Sequence, residues 1–545
     1  MLMQPELSHW DPVHAFSSPE SQSFYRAELL GILRHLANHP SSVMLTFGNE
    51  LHADEQGHAF MDTLLRLARK TDATRLYANG SNVHYGAIGT DPASDFYASM
   101  SWRGMEMRAT CDGMRGWLNE EYPNSRHNYD TTMAAIRQES AMPVFSFEVG
   151  QYEVLPDFSE TANWQGVTRP DNLLHIQKKV AEKGLQPVWS RMVEATGESS
   201  LLCYRAEVES ALRTKDYSGI SLLGIQDFPG QGTALVGMMN VRLQPKPFSF
   251  ARPERFSAFF RDVLPMALLD RYTYSAGETL CFGTCVANYG RTALSGALEW
   301  SLLSDSLHLS GACPAVSAPV GCLTDTGSVS VSLDGIRKPE KARLILRYAG
   351  IENEYPLWIY PEAEVKCPET VLECRSLDDR ALACLAAGGR VYLAPDSTPE
   401  ALPHSLKAQF SPDFWSVCTF PHQAGGMGQL IRKEHPLFDA FPTESWSEWQ
   451  WWPMANGRAL MLPERIDAIV TEMDSYAFLR PMAKLFECRC GGGRLMVSSL
   501  GLHQLQRYPE ARALQRAIYA YMASDAFQPE QELSPEWIRG LDIRG

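Results

Sequence analysis

"SVMLTFGNE", residues 42–50, decides how the first half of the chain is read. Its body is apolar and it ends abruptly in Gly48, Asn49 and Glu50. A short continuous apolar run bounded by polar residues fits a strand buried on both faces, as in parallel sheets. The same form recurs in "TRLYANGSN" (74–82), "SDFYASMSW" (94–102), "MPVFSFEVG" (142–150) and "GISLLGIQDF" (219–228). Helical patterns such as "FYRAELLGILRHLANH" (24–39) and "HAFMDTLLRLARKT" (58–71) separate them. Alternating strands and helices, with polar residues gathered at the strand C-termini, is the pattern of a (β/α)8 barrel, whose chemistry sits on that rim. A doubly wound sheet also alternates, but no glycine-rich phosphate turn follows a first strand here.

Near residue 267 the pattern changes. "ETLCFGTCVANYG" (278–290), "GALEWSLLS" (296–304), "SVSVSLDGI" (328–336) and "ARLILRYAG" (342–350) are short runs divided by turn residues, with no helical period between them. That predicts an antiparallel β-sandwich of immunoglobulin-like size. After Pro361 the alternation returns in "DRALACLAAGG" (379–389), "RVYLAPD" (390–396), "GGGRLMVSSLG" (491–501) and "EARALQRAIYAYMAS" (510–524). The expected architecture is multidomain α/β and β: a partial (β/α)8 barrel over 1–266, a sandwich over 267–361, and a non-catalytic open-sheet α/β domain over 362–545.

At 545 residues the chain exceeds a single core, and 45% hydrophobic residues supply enough apolar surface for several. A net charge of −15 without any basic run excludes nucleic acid and anionic membranes as expected partners. Twelve cysteines without a CxxC predict lone thiols in a reducing compartment rather than disulfides or a zinc site. "MLMQPELSHW" (1–10) lacks the layout of a signal peptide, so the expected location is cytoplasmic.

Two strand ends carry the chemistry: Asn49–Glu50 after "MLTFG" and Glu148 after "PVFSF". On a parallel barrel both carboxylates project into one rim pocket. Paired carboxylates there are the equipment of glycoside hydrolysis, one protonating the leaving oxygen and one attacking the anomeric carbon. From the residues alone, each glutamate is either a polar strand end or an aimed carboxylate.

"RHLANHPSSVMLTFGNEL" (34–51) resembles the acid/base segment of glycoside hydrolase family 2, and "PVFSFEVGQYEVLPDF" (143–158) resembles its nucleophile strand. "QDFPGQGTALVG" (226–237) is similar to the loop after the last barrel strand in a subgroup of that family. "AGETLCFGTCVANYG" (276–290) and "NEYPLWIYP" (353–361) resemble the ends of the sandwich that follows the barrel there. The resemblance implies a retaining β-glycosidase needing no cofactor or metal. Glu50 would be the general acid/base, Glu148 the nucleophile, and Asn49 the partner of the sugar 2-hydroxyl. Glu50 would need a raised pKa while Glu148 stayed ionised, the two about 5–5.5 Å apart. "MLMQPELSHWD" (1–11) looks like the family's third barrel strand, so the resemblance also implies an N-terminal truncation that leaves roughly six strands. A complementing polypeptide or an oligomer is the candidate for closing such a ring, and an inactive remnant that binds carbohydrate is the alternative outcome.

Further candidates for substrate contact are Glu6, Trp102, Asn79, Tyr152, Asp227 and Gln231, with Asn82, His84 and Glu153 behind them. Glucuronide-cleaving members carry an Asn-x-Lys motif for the sugar carboxylate. "GMMNVRLQPKPF" (237–248) has Asn240 but Arg242 in the lysine position, which mildly favours a neutral sugar such as a β-galactoside. Trp446, Trp449, Trp451 and Trp452 are expected in core or interdomain packing, and Cys488 and Cys490 as buried structural thiols.

Overall fold

The computed structural model describes residues 2–82, 90–109 and 116–544. In its first half, six parallel segments succeed one another in sequence order. Residues 3–6 bridge to 42–46, pairing Met3 with Ser42 and Glu6 with Thr46. Met44–Thr46 pairs with Leu76–Ala78 in register Leu45 to Tyr77. Two backbone hydrogen bonds, from Asp95 to Tyr77 (2.8 Å) and from Asn82 to Ala98 (2.9 Å), link that pair to Tyr97–Ser99. Tyr97–Ser99 then pairs with Val144–Gly150, and Val144–Gly150 with Gly219–Leu223. Among the described residues no ladder joins Gly219–Leu223 back to residues 3–6, and no closed barrel forms.

The helices between these segments bury one stripe each. Glu55–Thr71 starts where Asp54 accepts the Gly57 N–H, and it buries Phe60, Met61, Leu64, Leu65 and Ala68. That spacing of three and four places one apolar face on the sheet. Pro19–His35 starts five residues before the expected helix, because Ser18 caps it and Pro19 suits the first turn.

A 28-residue helix, Gln186–Arg213, runs through the middle of the molecule. Its buried polar residues tie the parallel sheet to the antiparallel region. Glu209 takes Arg205 (2.9 Å) and Arg213 (3.2 Å) on its own helix and the Tyr355 hydroxyl (2.9 Å) from an antiparallel strand. Arg205 also donates to Asn353 and to the Glu354 carbonyl.

Beyond the helix lie two largely antiparallel sheets, the larger of which takes Thr273–Ser275 as a parallel edge strand. One has three strands, Cys322–Ser332, Thr279–Asn288 and Val263–Leu269. The other has five, and its long pair is Glu340–Tyr348 with Ile351–Tyr360. Val263–Leu269 already belongs to the first of these sheets. The C-terminal region carries a mixed eight-stranded sheet in which Val371–Cys374, Arg390–Leu393 and Gly493–Ser498 run parallel.

Trp449 and Trp451 are buried, and Trp449 stacks between Tyr272 (5.4 Å) and Phe410 (5.1 Å). Trp452 donates its indole N–H to the Leu118 carbonyl (2.8 Å). These indoles fasten the C-terminal region to the rest of the chain. Cys488 and Cys490 are buried in the strand Met482–Cys490, and the cysteines among the described residues are free thiols. No helix among the described residues is long and apolar enough to cross a membrane.

Candidate active site

The segment after Met44–Thr46 is drawn tight against its neighbours. The Asn49 N–H donates to the His9 carbonyl (3.0 Å), Ser81 to the Gly48 carbonyl (3.0 Å), and Glu50 to the Ser81 carbonyl (3.0 Å). Gly48 permits this approach with φ 139°, and a Cβ there would lie 2.3 Å from the His9 carbonyl oxygen. Gly48→Ala is therefore expected to cost about 1–3 kcal/mol of stability, read as a lower thermal midpoint. An unchanged midpoint would show that residues 9 and 48 do not meet.

Glu50 comes next with a left-handed backbone, φ 53°. Its carboxylate accepts the Trp10 indole N–H (2.7 Å) and the Asn82 amide (3.3 Å). Glu148 has φ 57° and sits where the pairing of Val144–Gly150 with Gly219–Leu223 shifts register between Ser146 and Val149. Such a bulge re-aims a side chain, and left-handed non-glycine residues concentrate at functional sites. The two glutamates share a left-handed backbone and a place at a strand end.

The Asn49 amide reaches Glu148 Oε1 at 3.4 Å, while its own carbonyl oxygen is buried without a partner among the described residues. Arg108 donates to the Glu148 carbonyl (2.6 Å) and stands 3.5 Å from Oε2. Gln151 also donates to that carbonyl (2.9 Å). Burial pushes the Glu148 carboxyl up, Arg108 pulls it down, and the Glu50 and Glu6 charges push it up again. Glu50 hydrogen-bonds the exposed Trp10, whereas the Glu148 side chain is 14% exposed and backed by Arg108.

Glu6 lies in the floor beside them. It accepts Ser81 Oγ (2.6 Å) and Thr46 Oγ1 (3.1 Å), so it braces three neighbouring segments, and burial raises its pKa against those two bonds. Beneath the site Glu207 accepts the Ala109 N–H (2.9 Å), the Gly150 N–H (3.0 Å) and the Tyr152 hydroxyl (2.8 Å). This anchors the helix Gln186–Arg213 to the segments bearing Arg108 and Glu148.

The other expected contacts are engaged elsewhere. Trp102 is 2% exposed and packs edge-on against Tyr97 (5.5 Å), so its ring is core rather than a stacking face. Asn79 is buried and bonded to Asp91, and its backbone N–H donates to Ser94 Oγ. Tyr152 is buried against Tyr204 and Glu207. Asp227 is buried in an ion pair with Lys246 (2.9 Å). Gln231 is exposed on a single turn, Gln231–Thr233. Glu153 is fully buried beyond the site, and His84 lies outside the described residues. A polar residue near a strand end can point along the sheet as readily as into the pocket, which is why position alone misplaces these.

Trp10, Ser81, Arg108 and Glu207 join the site without having stood out in the sequence. Trp10 had a signal, since it closes the first parallel segment as Asn49–Glu50 closes the second. Among the described residues no group of three or more His, Cys, Asp or Glu side chains is arranged to hold a metal ion.

Two family models match parts of the chain. One, described as "Domain of unknown function (DUF8488)", covers residues 278–361, and another, "Domain of unknown function (DUF8487)", covers 372–542. No curated protein matches. Among solved structures, a Bacteroides uniformis β-glucuronidase is similar at 14% identity and TM-score 0.31, over 69% of this chain and 40% of that one. B. uniformis β-glucuronidase 3 is similar at 14% and 0.32, over 70% and 44%. An Amycolatopsis orientalis exo-chitosanase is similar at 12% and 0.37, over 63% and 39%. The likeness to glycoside hydrolases is thus distant, and the chain spans less than half the length of these structures.

Proposed function

We propose that the chain is a retaining β-glycosidase of the family 2 type, built on six strands of an incomplete (β/α)8 barrel that is followed by a sandwich and an α/β domain. The observation that carries this reading is that Glu50, 98 positions from Glu148 in the chain, lies near enough for its charge to act on Glu148, whose carboxylate also takes the Asn49 amide. Glu148, with Arg108 at its back, is the nucleophile and attacks the anomeric carbon as the glycosidic bond breaks. Glu50 gives its proton to the leaving oxygen. Glu50 then takes a proton from water, whose oxygen displaces the Glu148 ester, so the configuration is retained after two inversions. Asn49, with a buried and unpartnered carbonyl oxygen, is the group for the sugar hydroxyl next to the anomeric carbon.

A neutral sugar suits the way Lys246, Arg242 and Asn240 are already engaged. Lys246 is buried and spent on Asp227, Arg242 is bonded to the Asn163 carbonyl, and Asn240 caps its own turn by accepting the Arg242 and Gln244 N–H groups. None of the three faces a sugar carboxylate.

The test is the intact chain against a panel of aryl β-glycosides, followed by NMR of the first-formed anomer. Turnover is expected with a neutral sugar such as galactose, and the β-anomer should appear first. Release of the α-anomer would overturn the retaining mechanism. The unclosed ring of strands favours a second reading, a remnant that binds sugar without turnover. Binding of a sugar with no hydrolysis across the panel would select it.

A further inference from the structure

Arg108 is held in an unusual way. Its side chain is 4% exposed, yet its buried Nε–H has no hydrogen-bond partner, and Nη2 finds only the Met100 sulfur (3.3 Å). Among the described residues Nη1 alone makes hydrogen bonds to oxygen, to the Phe147 and Glu148 carbonyls and toward the Glu148 carboxylate. A guanidinium whose bonds to oxygen fall on one nitrogen, with only a weak sulfur acceptor on a second, is loosely held in its plane by hydrogen bonds, so a ring packed against its face adds to its orientation.

That ring comes from the far end of the chain. The Phe414 ring lies against the guanidinium, with Cζ 5.5 Å from the ring centroid. Phe414 belongs to a segment that pairs directly with the residues after Glu148. The Glu153 N–H donates to the Asp413 carbonyl (2.9 Å), the Trp415 N–H donates to the Gln151 carbonyl (2.8 Å), and Tyr152 bridges antiparallel to Phe414. The buried Gln423 side chain grips the Phe414 backbone from both sides, accepting its N–H (2.8 Å) and donating to its carbonyl (2.8 Å). The ring also packs with Ala234, Val236 and Phe420, beside the loop after the last parallel strand. Phe414 is therefore fixed by its backbone and by its ring, and it offers a fixed face to Arg108.

We propose that Phe414 is a positioning residue for the candidate active site: it holds the Arg108 guanidinium against Glu148, so the C-terminal region helps set the charge of that carboxylate. The groups facing Glu148 are Arg108, the Glu50 and Glu6 carboxylates, and the Asn49 amide, with the Gln151 amide on its carbonyl. Glu207 draws on Arg108 from the other side. Without the ring, the guanidinium is free to turn toward Glu207, and Glu148 keeps its neighbouring negative charges without the compensating cation. The proposal rests on the glycosidase reading only for its effect on rate.

The test reads the Glu148 carboxyl without a substrate. Carbodiimide-driven amidation, followed by peptide mass spectrometry of the intact chain's digest, gives the pH at which Glu148 gains its proton. Arg108→Met is expected to move that midpoint upward. Phe414→Leu should move it in the same direction by about half a pH unit or more, and Phe414→Tyr should restore it. The Arg108→Met/Phe414→Leu double variant should shift no further than Arg108→Met alone. Phe420→Leu, which loosens packing on Phe414 without facing Arg108, should leave the midpoint in place. An unmoved midpoint in Phe414→Leu would overturn the proposal, and so would full additivity in the double variant. Because no sugar is involved, absence of glycosidase turnover leaves this result standing. A failed shift likewise leaves the two-glutamate reading intact.

Discussion

Glu148→Ala is expected to lower turnover of an activated aryl β-glycoside by at least about 10⁴-fold, a loss of about 5 kcal/mol in transition-state stabilisation. The size comes from the role, since no other described carboxylate stands where Glu148 does with a guanidinium behind it. Azide distinguishes the two glutamates. In Glu148→Ala it attacks the anomeric carbon from the vacated face and yields the α-glycosyl azide. In Glu50→Ala the Glu148 ester still forms with a good leaving group, and azide then displaces it from the opposite face to give the β-azide. Exchanged products would reverse the assigned roles, and undiminished turnover in both variants would remove the pocket from the reaction. The wild-type pH profile carries a further sign. As the proposed nucleophile, Glu148 would have to be ionised to attack, and burial raises its pKa. Activity is therefore lost as pH falls through a value above the ordinary glutamate range, rather than at it.

Glu209→Gln is expected to be the most damaging change away from the site. Glu209 and Arg213 are each 3% exposed at the side chain, and the carboxylate also takes Arg205 and Tyr355. Removing the charge leaves buried cations unpaired, at about 3–5 kcal/mol. The readout is denaturant unfolding, with the midpoint of the transition that reports the central helix falling. Burial alone would raise the Glu209 pKa, but Arg205 and Arg213 outweigh it and hold the carboxyl below its usual value. A carboxyl depressed on folding stabilises fully above its unfolded pKa of about 4.3 and loses that contribution as pH falls through the lower folded value. The wild type should thus lose this stabilisation only below about pH 4.3, and Glu209→Gln should show a flatter acid limb. A midpoint unchanged by the substitution would mean that the helix does not depend on this network.

How much can be read without coordinates varies residue by residue. Glu50 and Glu148 are legible as carboxylates that end apolar strands, and the sequence leaves each as either a polar strand end or an aimed side chain. The helix Glu55–Thr71 is legible from its spacing, and the thiols Cys488 and Cys490 from the absence of partners. Trp102, Asn79 and Tyr152 sit equally near strand ends and are misplaced, since side-chain direction there depends on bulges and neighbouring helices. Arg108 comes nine residues after its strand and Phe414 lies some three hundred further on; nothing in local pattern connects them.

By itself, then, the sequence determined the alternation of strand and helix, the change to antiparallel pairing near residue 267, and the two carboxylates offered at strand ends. Those are local properties, written in periodicity and turn residues over ten or twenty positions. Only the tertiary structure decided that burial weighs on Glu148, that Arg108 stands beside it, and that Phe414 from the C-terminal region lies against that arginine. Burial and charge pairing are sums over neighbours brought together from distant parts of the chain, and those neighbours exist only once it has folded.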